Sequence, residues 1–276
     1  MATRLIINGD DFGFSTGVTD GIRQAHQQGI LTSTTLIVTR PDAARAMEVA
    51  QALPKLGVGI HLCLTQGRPC LVGQTRLLSG DNRFPPTVAR LLRRLMTGRR
   101  VREEVRREWA AQIETALKRG LKPTHLDSHK HIHHWPPLAD MAIDLARRYG
   151  IAALRCAHEV TPAGMPAPGL RYRALAVLAG RMRRKISRVH LRTTDWFFGL
   201  AATGQMSVAA WLKLLAALPP GTGEIMVHPG DPRGLSAMDT RLLAERQWEL
   251  DALCDPAVRA AVKQSGAELT HYGQLT

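Results

Sequence analysis

The chain has 276 residues, 45% of them hydrophobic, and its 37 Lys and Arg outnumber 23 Asp and Glu to give a formal net charge of +14. That length is long for one domain but within the range of α/β barrels, and the composition suits a soluble protein with a sizeable core. No apolar run approaches the roughly 20 residues that cross a bilayer, and four cysteines without a Cys-x-x-Cys pair exclude a cysteine zinc site and a disulfide framework.

Arg4 to Asn8 reads as a buried strand running into Gly9-Asp10-Asp11-Phe12-Gly13. It shows no signal-peptide pattern, so a cytoplasmic location is expected, peripheral to the inner membrane at most. Ser15 or Thr16 can cap a helix over 17–28 that stops at Gly29. Leu31 to Val38 is a β-branched run of the kind buried on both faces. A helix over 42–53 and a strand over 58–62 follow, which together make a parallel α/β arrangement. Residues 66–86 read as a long functional loop, 87–96 as a basic amphipathic helix, and 101–118 as a second helix. After a histidine-rich stretch come a helix over 136–149, a short strand over 151–155, and a weaker segment of Pro/Gly-rich loop and basic helix over 161–192. Helices over 207–218, 239–254 and 256–264 and strands over 224–228 and 268–271 complete the chain. No repeat or linker interrupts it, so residues 1–276 are expected to form a single domain.

Residues 124–134 hold five of the eleven histidines. His125, Asp127, His129, His131 and His133 alternate, and an extended segment would send all five to one face. Neutral imidazole is the commonest metal ligand, and a nearby carboxylate fixes its tautomer. Asp10-Asp11, His61, His129 and His228 each fall at the C-terminal end of an expected strand, where parallel α/β barrels carry their active sites. Two histidines and one aspartate suit a catalytic divalent metal with open positions. The second aspartate can accept a proton from water, and His228 can protonate a leaving amine. The pattern points to metal-assisted hydrolysis of an amide or ester. Cys63, two residues from His61, reads as a small buried residue and not as a nucleophile.

Asn8-Gly9-Asp10-Asp11-Phe12-Gly13, Gly59-Ile60-His61-Leu62, the 124–133 stretch and His228-Pro229-Gly230 resemble the signatures of YdjC-like carbohydrate deacetylases. That family includes chitooligosaccharide deacetylases and hopanoid-associated members. The resemblance implies a TIM-barrel-like (β/α) barrel, distorted or incomplete, with helical and loop insertions. It implies a divalent metal on Asp11, His61 and His129, Asp10 as general base, and removal of the acetyl group from an N-acetylated sugar. It also suggests Mg2+, where ligand softness alone suggests Zn2+, and a homodimer. Arg155 resembles the arginine that steadies the base in related polysaccharide deacetylases. Asp127, His125, His131 and His133 are then expected to support the ligands or to contact substrate.

Eight arginines between Arg90 and Arg107 and a second basic cluster over 181–192 invite an anionic partner. Nucleic acid is not expected, because an aromatic content of 5% leaves little for base stacking. A phosphoesterase would need a second cation about 4 Å from the first, with more carboxylates than the sequence places there. The 87–96 helix, with Val88, Leu91, Leu92 and Leu95 on one stripe, is instead expected to lie on an anionic membrane surface, or else to pack on the barrel beneath a solvated basic rim.

Overall fold

Continuous apolar and β-branched runs build a sheet whose strands are buried on both faces: Leu5, Ile6, Ile7, Ile60 and Leu62 are fully buried, as are Ser33, Thr34 and Thr35. The computed structural model describes residues 3–71, 73, 77, 81–162, 165 and 169–275. Among these, all strand pairings are parallel. The central strand β1 (Arg4–Phe12) has β6 (Thr222–Val227) along one edge. Its other edge is shared, with β7 (Glu268–Thr270) beside Arg4–Ile6 and β2 (Ser33–Leu36) from Asn8 onward. Beyond β2 lie β3 (Gly57–Leu62) and β4 (Leu126–Ser128), and beyond β6 lies β5 (Trp196–Phe198). Single bridges Leu126 to Leu154, Ala153 to Arg192 and Glu159 to Phe197 lead from the β4 edge back toward β5. The fold is therefore α/β with a curled parallel sheet. Gly59 lets the His125 ring pack directly against β3, since a Cβ there would stand 2.5 Å from that ring.

The helices lie between the strands. They are α1 (Thr16–Gln28), α2 (Ala43–Gln51), α3 (Val88–Leu95), α4 (Arg99–Lys118), α5 (Leu138–Arg148), α6 (Leu170–Arg188), α7 (Val208–Leu215), α8 (Ala244–Cys254) and α9 (Pro256–Ser265). Their ends obey the expected chemistry. Ser15 accepts the Val18 amide at the start of α1, Asp255 accepts the Ala257 amide ahead of Pro256, and Gly266 closes α9 at a left-handed φ of 68°. Three features differ from the sequence expectation. The 151–155 strand is reduced to bridges at Ala153 and Leu154. The helix expected over 239–254 begins only at Ala244, as α8, whereas the basic helix expected within 161–192 is present as α6 and buries Ala179, Met182 and Ile186 beneath its arginines. Three aromatic residues form β5, a run too short to show any period.

The amphipathic stripe of α3 is not free for a membrane. Leu91 and Leu95 are buried against the core, where Val101 and Val105 of α4 also sit, and Val88 and Leu92 pack beside them. A fully buried leucine is worth about 1.5–3 kcal/mol, so exposing this face costs more than the flanking arginines recover. What α3 and the start of α4 present outward is charge, through Arg90, Arg93, Arg99, Arg100 and Arg102. No helix among the described residues is long and apolar enough to cross a membrane. Of the expected 66–86 loop, residues 72, 74–76 and 78–80 lie outside the described residues. The remainder is held by buried polar groups of α4: Glu108 accepts the Cys70 and Leu71 amides, and Gln112 pairs with both backbone groups of Cys63.

Candidate active site

Successive strand residues normally point to opposite faces, yet the carboxylates of Asp10 and Asp11 face the same centre. Asp11 has a left-handed φ of 72°, and the β1–β2 register shifts between Gly9 and Phe12. Aspartate tolerates this conformation better than most side chains, and here it swings Asp11 round beside Asp10. His61 Nε2 lies 3.9 Å from Asp10 Oδ2 and 3.8 Å from Asp11 Oδ1. His129 Nδ1 lies 3.1 Å from Asp11 Oδ1. One ligand atom from each of Asp11, His61 and His129 can be chosen so that all lie within 4.8 Å of one another.

The other ring nitrogen of His61, Nδ1, is 2.7 Å from Asp127 Oδ1. A proton on Nδ1 donated to that carboxylate leaves the Nε2 lone pair aimed at the two aspartates, the usual support for a metal-binding imidazole. Burial works against charge on His61, but Asp127, Asp10 and Asp11 outweigh it and raise its pKa. Arg155, fully buried, donates to both oxygens of Asp10 at 2.8 and 2.7 Å. It also binds Glu224 Oε1 through Nε and Nη2 at 2.9 and 2.7 Å and lies 2.5 Å from Asp127 Oδ2. Burial would push the Asp10 carboxyl up, but Arg155 and His61 hold it well below the carboxylate range. Against the same burial, Arg246 and His129 hold Asp11 well below that range.

Asp10, Asp11, Asp127 and Glu224 are thus buried beside two buried guanidiniums, Arg155 and Arg246. That leaves more carboxylate than guanidinium charges in a water-poor interior, where unpaired charge is costly. A divalent cation on Asp11, His61 and His129 would balance the excess, so the donor set and the charge both fit such an ion.

The histidine stretch does not stay extended. It follows β4 only to Ser128, and His129–His134 then forms a 3-10 turn broken by left-handed Lys130 and His131. The five alternating residues therefore part company. Asp127 and His129 join the centre. His131 lines the cavity above it, edge-on to Phe197. His133 is buried: Ser128 Oγ lies 2.5 Å from its Nδ1, and its Nε2 donates to the Arg155 carbonyl at 3.1 Å, so it steadies the backbone of the arginine. His125 lies away from the cavity, stacked on Tyr272 at 3.9 Å, and the Tyr272 hydroxyl donates to Glu224 Oε2. Of the two places expected for His125, supporting the ligands or contacting substrate, this position in the interior beside Arg155 suits the first. Burial pushes the pKa of His125, His131 and His133 down, so all three are neutral at neutral pH.

His228 follows β6 and lines the same cavity. Burial pulls its pKa down to about 4. Its backbone N–H donates to Glu249 Oε2 at 2.6 Å. Cys63 is buried, donates its S–H to the Thr65 carbonyl, and has its thiol pushed up to about 11 by burial, which leaves it inert as a nucleophile. The cavity has a volume of about 640 Å³ and reaches the surface past an apolar wall of Trp135, Tyr172, Leu175, Leu200, Met226 and Leu242.

Three participants had no place in the sequence reading of the site. Arg246 donates to Asp11 Oδ2 at 2.5 Å, and Glu249 holds His228 and the Gly204 amide. Both lie on the buried face of α8 that Leu250, Ala252 and Leu253 otherwise make apolar, and both are 1% exposed. Charge on the inward face of a helix was the available signal. Glu224 carried the same kind of signal, as a carboxylate in the middle of a buried strand.

A carbohydrate deacetylase of Geobacillus stearothermophilus is 32% identical over all of this chain and 99% of its own length. One of Vibrio cholerae is 38% identical, covering 99% of this chain and 96% of its own. Among solved structures, an Enterococcus faecalis protein described as a candidate cellobiose-phosphate cleavage protein superposes with a TM-score of 0.77 at 28% identity, covering 99% of this chain and 98% of its own. A family model described as YdjC-like protein matches residues 4–264, and the chain belongs to that family.

Proposed function

We propose that the chain is a metal-dependent carbohydrate N-deacetylase. In this reading one divalent cation sits on Asp11, His61 and His129, and the substrate is an N-acetylglucosamine-containing oligosaccharide or glycolipid, of which a hopanoid-linked sugar is one form. The observation that carries the reading is the meeting of those three ligands with Asp10 on the wall of a single open cavity. The relatives' names as carbohydrate deacetylases support it, and so does a cavity within the size range of small-molecule sites. The bridges that carry the sheet from β4 toward β5 support reading the fold as a distorted, TIM-barrel-like barrel of one domain. Ligand type suits Zn2+, and the family resemblance suggests Mg2+.

When bound, the cation polarises the acetyl carbonyl and lowers the pKa of a water beside it. The side chains supply the rest. Asp10, held anionic by Arg155, takes the proton of the attacking water. As the C–N bond breaks, the amine nitrogen takes a proton from His228. Because burial keeps the resting imidazole neutral, that proton has to reach His228 during turnover, and Asp10, whose charge already pulls on the ring, is the group that receives one. The apolar wall accepts the flat face of a sugar ring. Two-metal phosphoester chemistry is disfavoured, because the second carboxylate–histidine group, Asp10, His61 and Asp127, is already committed to Arg155 and to the His61–Asp127 pair.

Acetate release from a panel of N-acetylglucosamine oligosaccharides and glycolipids tests the reading. Chelation should abolish it, added divalent metal should restore it, and His129→Ala should lack both metal and activity. Full activity in metal-free His129→Ala protein overturns it. Attraction of the Arg90–Arg107 face to an anionic membrane is a further element of the proposal, now by charge alone. Co-sedimentation with anionic vesicles should weaken with salt and fall when Arg93, Arg94, Arg99 and Arg100 become Glu. Equal partitioning of wild type and variant would leave a soluble oligosaccharide as substrate.

A further inference from the structure

Arg246 is a buried arginine with a single side-chain hydrogen bond. Nη2 donates to Asp11 Oδ2 at 2.5 Å, while Nε and Nη1 have no hydrogen-bond partner among the described residues. The guanidinium carbon stands 5.5 Å from the centre of the Phe14 ring, whose other neighbour is Arg40 at 3.8 Å. The Arg246 carbonyl accepts the Gly230 amide at 3.1 Å, two residues beyond His228. Asp11 is therefore divided: Oδ2 belongs to Arg246, and Oδ1 faces His129 at 3.1 Å and His61 at 3.8 Å.

We propose that Arg246 is a positioning residue that fixes Asp11 as a one-oxygen ligand, and so keeps the coordination sphere of the cation open for water and substrate. The inference rests on the metal-site reading above. A carboxylate rotates readily about its Cβ–Cγ bond, and the left-handed backbone of Asp11 gives it no second hold. With Oδ2 occupied, rotation is blocked and the second oxygen stays out of the sphere. Hydrogen-bond partners of metal ligands act in this way, and their loss typically costs about 10–100-fold in metal affinity or activity. One donor does the work here, so lysine is an adequate replacement. Arg155 differs, because it spans Asp10 and Glu224 with three nitrogens, a pattern one ammonium cannot reproduce.

The test uses Co2+ as probe on the full-length apoprotein, reading its visible absorption, which reports coordination number, and its dissociation constant. Arg246→Gln should bind Co2+ about 10–100-fold more weakly and with an altered absorption band. Arg246→Lys should restore both. A folded Arg246→Gln protein with the wild-type band and affinity overturns the inference. If the Gln variant does not fold, the Lys variant decides: the wild-type band and affinity support the single-donor role, and their loss in a folded protein overturns it. Wild type that takes up no Co2+ overturns the deacetylase reading itself and this inference with it, so the two failures are distinct.

Discussion

Asp10 and Asp11 are adjacent in sequence, and two arginines separate their chemistry. Arg155 engages both oxygens of Asp10 and holds the carboxylate in place beside the ligands, while Arg246 leaves one oxygen of Asp11 facing the histidines. A base must shed its proton each turnover, and a ligand must never carry one. Asp10→Asn should therefore keep the wild-type metal content and lose about 10²–10⁴ in rate, while Asp11→Asn should lose the metal. Elemental analysis beside acetate release checks this, and the opposite pattern would exchange the two roles. If His228 relays the proton to the amine, His228→Gln should keep the wild-type metal content and lose about 10²–10⁴ in rate, and because burial already keeps the resting imidazole neutral, the limbs of the pH–rate profile should stay where they are. The sequence made Asp10, Asp11, His61, His129 and His228 visible because each is a polar residue at a strand end. It could not divide the aspartates, since that depends on Arg246, some 235 residues away.

At the scale of the element, the histidine stretch shows where period fails as a guide. An i, i+2 pattern implies one face only while the backbone stays extended, and left-handed Lys130 and His131 end that after Ser128. The reading of α8 fell short for the opposite reason: a helix ending at Cys254 was visible, although it begins at Ala244 and not at Asp239, but its inward face is polar at Arg246 and Glu249. Glu249 accepts the His228 and Gly204 amides, and burial raises its pKa from 4.5 to about 7. A carboxyl whose pKa is raised on folding stabilises the protein fully only below its unfolded value, and that contribution is lost as pH rises through the folded value. Stability should accordingly fall between pH 5 and pH 8 by up to about 3 kcal/mol from this group. Urea unfolding across that window should show the slope, and Glu249→Gln should flatten it. An unchanged slope in the variant would place the titrating group elsewhere.

At the scale of the whole molecule, the parallel sheet brings the C-terminal ends of β1, β3, β4 and β6 together, and the charge excess of the chain gathers elsewhere, on α3, α4 and α6. The interior beneath the cavity is instead acidic, with four buried carboxylates against two buried arginines. The strands supply the apolar burial that surrounds this acidic interior. A divalent cation held on Asp11, His61 and His129, as proposed, should stabilise the fold, because it would bind the folded arrangement of those residues and find no such site in the unfolded chain. At a free concentration 100 times the dissociation constant the gain is about 2.7 kcal/mol, which for a domain near this size raises the melting temperature by roughly 5–10 °C. Thermal melts of chelator-treated protein, with and without divalent metal, should show that rise in wild type and none in His129→Ala. An equal rise in both would mean that the stabilising ion sits away from the cavity, and the acidic interior would then need another counter-charge.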